Sequence, residues 1–246
     1  MAKDDMTWEV EYDLTPPIPV DAPRIPAYPV LGIALEYDAE GNLAKIVHKL
    51  NADAGTDPSL AMERSQRALE PVFETLEFFH GLAPQIARRR ARITDPENDT
   101  GHSVGRMTIT SNAYLVVRVQ LPKEATLSAA AAKPRLVTLL HLFNRARRPT
   151  SDAEAVRLYY MIWEDLHGPP DGKEPPSPEL RLRHTRDFVS HGVTLGNGNA
   201  RKFIQPRINN KQFTAFDPKD PDHCAFVAAQ RAKAFTLIEG ELRQKL

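Results

Sequence analysis

The chain has 246 residues, enough for one large domain or two small ones. Lys plus Arg and Asp plus Glu both number 32, so the formal net charge is zero and no global attraction to nucleic acid follows. A single cysteine, Cys224, excludes an intramolecular disulfide and a cysteine-based zinc cluster. The N-terminus lacks the apolar core of a signal peptide and no apolar run approaches membrane-spanning length, so we expect a cytoplasmic protein with no membrane partner.

The first part of the chain has the pattern of mixed α+β structure. Apolar and polar residues alternate over residues 8–14, which predicts a half-buried strand. The proline-rich residues 16–29 cannot form a regular helix and predict a connector. Residues 30–37 and 43–50 predict a β-hairpin, because the turn between them, residues 38–42, contains a Gly-Asn pair that can take positive φ.

A long helix and two more strands follow. Residues 59–79 predict an amphipathic helix capped by Asp57, with Pro71 kinking the helix or dividing it in two. Residues 85–94 and 106–121 predict two strands. The first of these strands is rich in arginine, which favours a solvated edge strand protected by charge.

The pattern becomes helical after an alanine-rich segment, residues 128–133, that ends at a proline. We therefore expect two domains, an α+β region over residues 1–127 and a helical region over residues 128–246. The second contains four predicted helices with short or proline-rich connections, which favours an all-α, four-helix up-and-down bundle. Residues 193–221, between the third and fourth helices, are rich in Asn, Gly and Pro and are expected to be irregular.

The third predicted helix contains the sequence Arg186-Asp187-x-x-x-His191. Arg186 supplies a permanent cation with forked donors, and His191 supplies a group that takes or gives a proton near neutral pH. Both are parts that metal-free phosphodiester chemistry needs. The segment resembles the Arg-(Asn/Asp/His)-x-x-x-His signature of the HEPN superfamily, helical proteins many of which are RNases of toxin–antitoxin and phage-defence systems.

The resemblance covers roughly residues 134–246 and implies a fold and an activity. It implies a homodimer in which the motif helices of two protomers face each other across a composite active site. It also implies a metal-independent endoribonuclease of bacterial defence or toxin–antitoxin systems, which cleaves RNA, such as tRNA, by attack of the ribose 2′-OH. We expect no metal and no cofactor, and an antitoxin or sensor protein is an expected partner. Residues 1–127 would then sense a trigger, bind that partner or restrain the nuclease.

The spacing of the motif limits what one helix can do. Residues five apart on an ideal helix are rotated by roughly 140°, so Arg186 and His191 do not share a face. Asp187 lies four residues before His191 and is expected to hydrogen-bond the imidazole and fix its tautomer. We expect three further residues of this helix to support the site: Arg183, His184 and Ser190.

Other readings of these residues remain open. Arg186 can be an ordinary helix residue paired with Asp187 or Glu179, and His191 can be a helix-end histidine favoured by the dipole. The protein would then be a non-catalytic RNA-binding, protein-binding or dimerisation module.

Two further groups of residues are candidates for the site. An acidic pair, Glu164 and Asp165, can supply a carboxylate to the cleft or simply form a solvated helix end. The segment after the motif interleaves basic and aromatic residues, which suits single-stranded RNA but equally fits an apolar loop packed on the bundle. Its candidate RNA-binding residues are Arg201, Lys202, Phe203, Arg207 and Lys211.

Overall fold

The computed structural model describes residues 7–21, 24–51, 57–81, 86–94, 104–107, 120–148, 151–170, 176–191, 198–209 and 215–246. The side chains at positions 88, 93, 94, 104–107 and 191 lie outside this description. The chain divides into two compact units, Met1–Val137 and Thr138–Leu246. The predicted domain boundary at residues 127/128 stays a prediction. The short helix α2, Glu124–Ala131, is part of the first unit.

The first unit contains an antiparallel sheet, as the predicted α+β class requires. Its six described strands follow the spatial order β2-β3-β4-β1-β5-β6. Their bounds are β1 Thr7–Ile18, β2 Ala27–Tyr28, β3 Ile33–Tyr37, β4 Leu43–Asn51, β5 Ile86–Thr94 and β6 Val104–Met107. The predicted hairpin is confirmed as β3 and β4, and Gly41 in its turn has a φ of 83°.

Two strand predictions need correction, and a third is covered only in part by the described residues. The strand predicted to end at residue 14 continues through Pro16 to Ile18. The prolines are tolerated because the register with β4 is irregular after Asp13, so they do not have to donate a regular hydrogen bond between the strands. The arginine-rich β5 is not an edge strand, since β1 and β6 pair with its two sides. The strand predicted over residues 106–121 is described only within Val104–Met107, and residues 108–119 lie outside the described residues.

A single long helix, α1 (Pro58–His80), packs against the sheet. The side chain of Asp57 accepts a hydrogen bond from the Ser59 backbone at 2.9 Å, as predicted for the cap. Pro71 lies inside the helix and does not divide it. The apolar face of α1 meets strands β1, β4 and β5, where it closes the core of the unit.

A buried hydrogen-bond chain joins α1 to the sheet. The Tyr12 hydroxyl of β1 donates to Ser65 Oγ of α1 at 2.7 Å, and Ser65 Oγ lies 2.9 Å from His48 Nδ1 of β4. All three side chains are buried. Burial lowers the pKa of His48, although a hydrogen bond with the backbone of Leu31 opposes this shift. The neutral imidazole can therefore accept the Ser65 proton, and the chain satisfies polar groups that are costly to bury alone.

The other face of the sheet carries complementary charges on neighbouring strands. Glu9 and Glu11 of β1 are acidic, whereas the flanking strands β4 and β5 present lysine and arginine. Glu9 lies 2.6 Å from Arg92 and 3.2 Å from Lys49. Burial raises the pKa of Glu9, but hydrogen bonds from these two cations outweigh it and leave the pKa below its usual value. Arg90 and Arg92 of the arginine-rich strand are therefore paired with carboxylates of β1.

The second unit is helical. Its helices are the greater part of α3 (Pro134–Arg147), α4 (Asp152–His167), α5 (Pro178–His191), α6 (Gly198–Ile204) and α7 (Pro221–Lys245). Residues 193–221 were predicted to be irregular, but they include α6 and the 3-10 turn Gln205–Ile208. These short helices form because their apolar residues enter the core of the unit: Ala200, Phe203, Ile204 and Ile208.

Side-chain contacts give the directions of the helices. Arg157, near the start of α4, reaches the end of α5, and Arg183, in the middle of α5, reaches Pro170 just after α4, so these helices are antiparallel. The start of α4 contacts Arg231 and its end contacts Glu241, so α4 and α7 run in the same direction. This order is that of an up-and-down arrangement for α4, α5 and α7. The assignment of the helices to a HEPN bundle stays a prediction.

The buried imidazole predicts a pH-dependent stability of the first unit. Because the pKa of His48 is lowered by folding, the unfolded chain binds a proton near pH 6.5 that the folded unit excludes. The free energy of unfolding should be at its highest above that pH and should fall as the pH decreases below it. The total decrease should be about 1.4 kcal/mol for each unit by which folding lowers the pKa.

Trp8 fluorescence during urea unfolding measures this, in a Trp163→Phe background that leaves Trp8 as the single tryptophan. His48→Gln should flatten the dependence between about pH 7 and pH 5. Equal slopes for the two proteins would contradict the role given to His48.

Candidate functional site

Polar side chains of α4 and α5 face each other along the line where the two helices meet. Residues spaced three, four or seven apart share one helix face, so each helix contributes one stripe. We call this cluster the polar seam, and its members are Arg157, Tyr160 and Glu164 from α4 with Arg183, Arg186, Asp187 and Ser190 from α5. Five of the residues predicted for the site therefore lie in this cluster: Glu164, Arg183, Arg186, Asp187 and Ser190.

Arg186 is held in a defined position within the polar seam. Its Nη1 donates to Asp187 Oδ1 at 2.8 Å, and its guanidinium carbon lies 4.1 Å from the centre of the Tyr160 ring. The Arg186 side chain is 24% exposed, so the cation is half-buried. A carboxylate and an aromatic face each favour the guanidinium in this place.

Tyr160 connects Arg186 to an acidic residue. The Tyr160 hydroxyl donates to Glu164 Oε1 at 3.3 Å. Burial raises the pKa of Tyr160, the positive charge of Arg186 opposes this shift, and the net effect keeps the phenol neutral. Both predicted acidic candidates are exposed. Glu164 contacts Tyr160 in the seam, whereas Asp165 is rotated from Glu164 by about 100° around α4.

Arg157 is a residue of the seam that the sequence analysis missed. Its side chain crosses from α4 to the last turn of α5, where it donates to the Val189 carbonyl and, at 3.1 Å, to Ser190 Oγ. The last carbonyls of a helix lack partners within the helix, so an arginine is well suited to this place. A signal for it existed: Arg157 lies three residues before Tyr160 and seven before Glu164.

His191 is the last residue of α5, as predicted, and its side chain lies outside the described residues. The expected hydrogen bond that Asp187 would accept from His191 therefore stays a prediction. Asp187 is paired with Arg186, which was one of the two alternatives for the arginine. Arg183 donates to the Pro170 carbonyl at 2.6 Å, so this cation supports the loop after α4.

His184 does not belong to the polar seam. It was predicted to support the site, but its side chain is 2% exposed and its ring centre lies 6.0 Å from that of Phe203. The face of α5 that carries His184 packs toward the apolar residues of α6. A helix pattern shows which residues share a face, and tertiary packing decides which of those faces is buried.

The predicted RNA-binding residues of the segment after α5 separate into two groups. Arg201 and Lys202 are exposed on α6. Phe203 is buried, and Arg207 lies over its ring with the guanidinium carbon 4.3 Å from the ring centre. Phe203 therefore offers no face for base stacking, which corrects that expectation. Lys211 lies outside the described residues.

The described part of the chain contains no group of three or more His, Cys, Asp or Glu side chains arranged to hold a metal ion. Within the same part, no helix is both long enough and apolar enough to cross a membrane. No protein-family model matches the chain, and comparisons with curated proteins and with solved structures found no similar protein. The HEPN resemblance therefore rests on the motif and the order of the helices.

The contact between Arg157 and the end of α5 predicts a measurable coupling. Arg157→Ala should lower the free energy of unfolding by about 1 kcal/mol, and Ser190→Ala by a few tenths of that, because the hydrogen bonds of Arg157 are partly exposed. The double variant should cost less than the sum of the two single variants, because they remove one shared hydrogen bond.

Urea unfolding followed by Trp163 fluorescence, in a Trp8→Phe background, gives the three values. Arg243→Ala is the matched control, since this exposed arginine pairs with Glu239 on α7 and should be additive with Ser190→Ala. Strict additivity for Arg157 and Ser190 would show that the contact does not contribute to stability.

Proposed function

We propose that the protein is a metal-independent endoribonuclease of the HEPN type, acting in bacterial defence or in a toxin–antitoxin system. The motif Arg186-Asp187-x-x-x-His191 supports this proposal, because it occupies one helix of a helical unit in the predicted order. The substrate is RNA, with tRNA a suitable example. In this proposal the first unit senses a trigger or binds an antitoxin or sensor partner, and the protein acts in the cytoplasm as a homodimer.

The observation that carries the proposal is the ordered cation of the polar seam. Asp187 and Tyr160 fix Arg186 before any substrate arrives. Arg157 lies on the same face of α4 as Tyr160, about one turn before it. A fixed guanidinium binds a phosphodiester through forked hydrogen bonds and loses little entropy on doing so. The chain has zero net charge, so attraction to RNA has to come from such a local group of cations.

The proposed reaction is an intramolecular transesterification. A His191 imidazole takes the proton of the ribose 2′-OH as that oxygen attacks the adjacent phosphorus, and a second proton donor protonates the leaving 5′-oxygen. The P–O5′ bond breaks, and the products are a 2′,3′-cyclic phosphate and a 5′-OH. Arg186 stabilises the negative charge that develops on the phosphoryl oxygens.

In this proposal the second proton donor comes from another protomer. Arg186 and His191 are separated by about 140° around α5, so one helix does not place both beside a single phosphate. Two α5 helices facing each other bring two arginines and two histidines to one cleft. One histidine can then act as base while the other acts as acid.

This proposal predicts cleavage of RNA without a divalent metal. Purified protein incubated with total tRNA in EDTA should produce fragments that end in a 2′,3′-cyclic phosphate. Arg186→Ala and His191→Ala should each reduce the rate on the order of 100-fold or more, because they remove charge stabilisation and proton transfer. Arg243→Ala, an exposed arginine of α7, is the matched control and should cleave at the wild-type rate.

Sedimentation of the same samples tests the dimer. Cleavage by the wild type and the control alone supports the enzyme. Intact RNA with all proteins folded, or full cleavage by His191→Ala, would overturn it. A protein that is monomeric at assay concentrations and still cleaves RNA would contradict the composite site.

A second candidate is a non-catalytic module that binds RNA or protein. The contact between Arg186 and Asp187 favours it, because an arginine already neutralised by its neighbour has less charge to offer a reacting phosphate. This function is identified if the wild type binds RNA without cleaving it. It is also identified if Arg186→Ala loses RNA binding while no protein in the assay gives cleavage products.

The cation–π contact predicts different effects of two substitutions at Tyr160. Tyr160→Phe keeps the ring beneath Arg186 and loses the hydrogen bonds of the hydroxyl with Glu164 and Arg186, so cleavage should stay within about threefold of the wild type. Tyr160→Leu removes the ring and should lower the rate about tenfold, since the attraction is worth on the order of 1 kcal/mol.

Single-turnover rates at saturating protein measure this, with pH profiles of both variants. Unchanged pH profiles are expected, because Tyr160 positions Arg186 and exchanges no proton. Equal rates for Phe and Leu would show that the ring does not position the arginine.

A further inference from the structure

A second concave site lies between α5 and α7, on a side of α5 that the polar seam does not use. It is a groove of about 580 Å³, within the range of pockets that hold small molecules. Its walls are mainly aliphatic and include Leu182, Ala229, Ala234 and Leu237. The helical spacing of α7 predicts an inward position for Ala229, but it is exposed at this groove.

A buried amide lines this groove. Gln230 is 6% exposed as a residue, and its side chain lines the groove. A primary amide offers two N–H donors and a carbonyl acceptor. Gln230 can therefore bind a polar group of a ligand that enters the groove.

Two cations line the same groove. Arg181 Nε donates to the Pro176 carbonyl at 2.8 Å, which holds the guanidinium in place. Lys233 is exposed. Neither Arg181 nor Lys233 forms an ion pair with a carboxylate among the residues that the structure describes. Two like charges beside an aliphatic wall are best stabilised by an anion with an apolar body.

We propose that the α5–α7 groove binds a small aliphatic carboxylate. The carboxylate would meet Arg181 and Lys233, one of its oxygens would accept from the Gln230 amide, and the aliphatic chain would lie against Leu182 and Leu237. A nucleotide fits less well, because the lining residues named for this groove include no aromatic ring and a single amide would leave most polar atoms of a base without partners.

This proposal does not depend on the proposed ribonuclease activity. It does connect to the same helix, because Arg181 and Leu182 directly precede Arg183 on α5. A ligand that bridges α5 and α7 stabilises the helix that carries the motif.

Calorimetric titration of the full chain tests the site, with decanoate as the probe below its micelle concentration. Decanol lacks the charge and inorganic phosphate lacks the aliphatic body, so both serve as matched probes. We expect decanoate to bind at one saturable site, at least about tenfold more tightly than either. Lys233→Gln and Gln230→Leu should each weaken decanoate binding at least about fivefold.

Lys219→Gln, an exposed lysine just before α7, is the control variant and should bind as the wild type does. Lys233 is exposed, so its substitution leaves the fold intact even where Gln230→Leu disturbs it. Absence of saturable binding overturns the proposal, as does equal affinity for decanol or phosphate. The proposal is also overturned if Lys219→Gln weakens binding as much as Lys233→Gln does.

Discussion

The contact between α4 and α5 is the constraint on which the candidate site depends. Helix α5 has to bury an apolar face that includes Leu182 and Phe188, and this burial fixes the direction of its arginines. The polar stripe of α5 packs against α4, where the Tyr160 ring lies beneath Arg186. Arg157 closes the other end of the contact by capping the last turn of α5. The motif is therefore positioned by a neighbouring helix as much as by its own sequence.

The sheet of the first unit solves a related problem with strands. One face is apolar and covered by α1. The buried hydrogen bonds from Tyr12 through Ser65 to His48 fix the position of α1 on this face, because hydrogen bonds are directional and apolar contacts are not. The other face alternates in charge from strand to strand, so Glu9 meets Arg92 on one side and Lys49 on the other. Each such pair contributes little stability when exposed, but a slip of one residue would turn these charges into the core. The charges therefore help to fix the register.

Local signals made much of this fold predictable. The starts of α1 and α4 follow from the caps Asp57 and Ser151. The failures share one cause, which is tertiary contact. Helix α6 forms in a segment rich in Asn and Gly because Phe203 is buried in the unit, and the same burial removes His184 from the exposed face. Arg157 was missed because it contacts Ser190, 33 residues away in the chain. Sequence periodicity gives the members of a helix face and does not give the partner of that face.

The relation between Arg186 and Asp187 bears on how such a site would act. A guanidinium 2.8 Å from a carboxylate has to exchange that partner for a phosphate, or share its remaining donors with both. Sharing keeps the contact with Asp187 in place, because a guanidinium has five N–H donors and this contact uses one nitrogen, Nη1. Asp187 would then orient the arginine while the outward nitrogens bind the phosphate. In the proposed dimer, a second α5 would bring further positive charge close to Asp187. Asp187 would then interact with arginines of both protomers, and its interaction with Arg186 alone would be weaker.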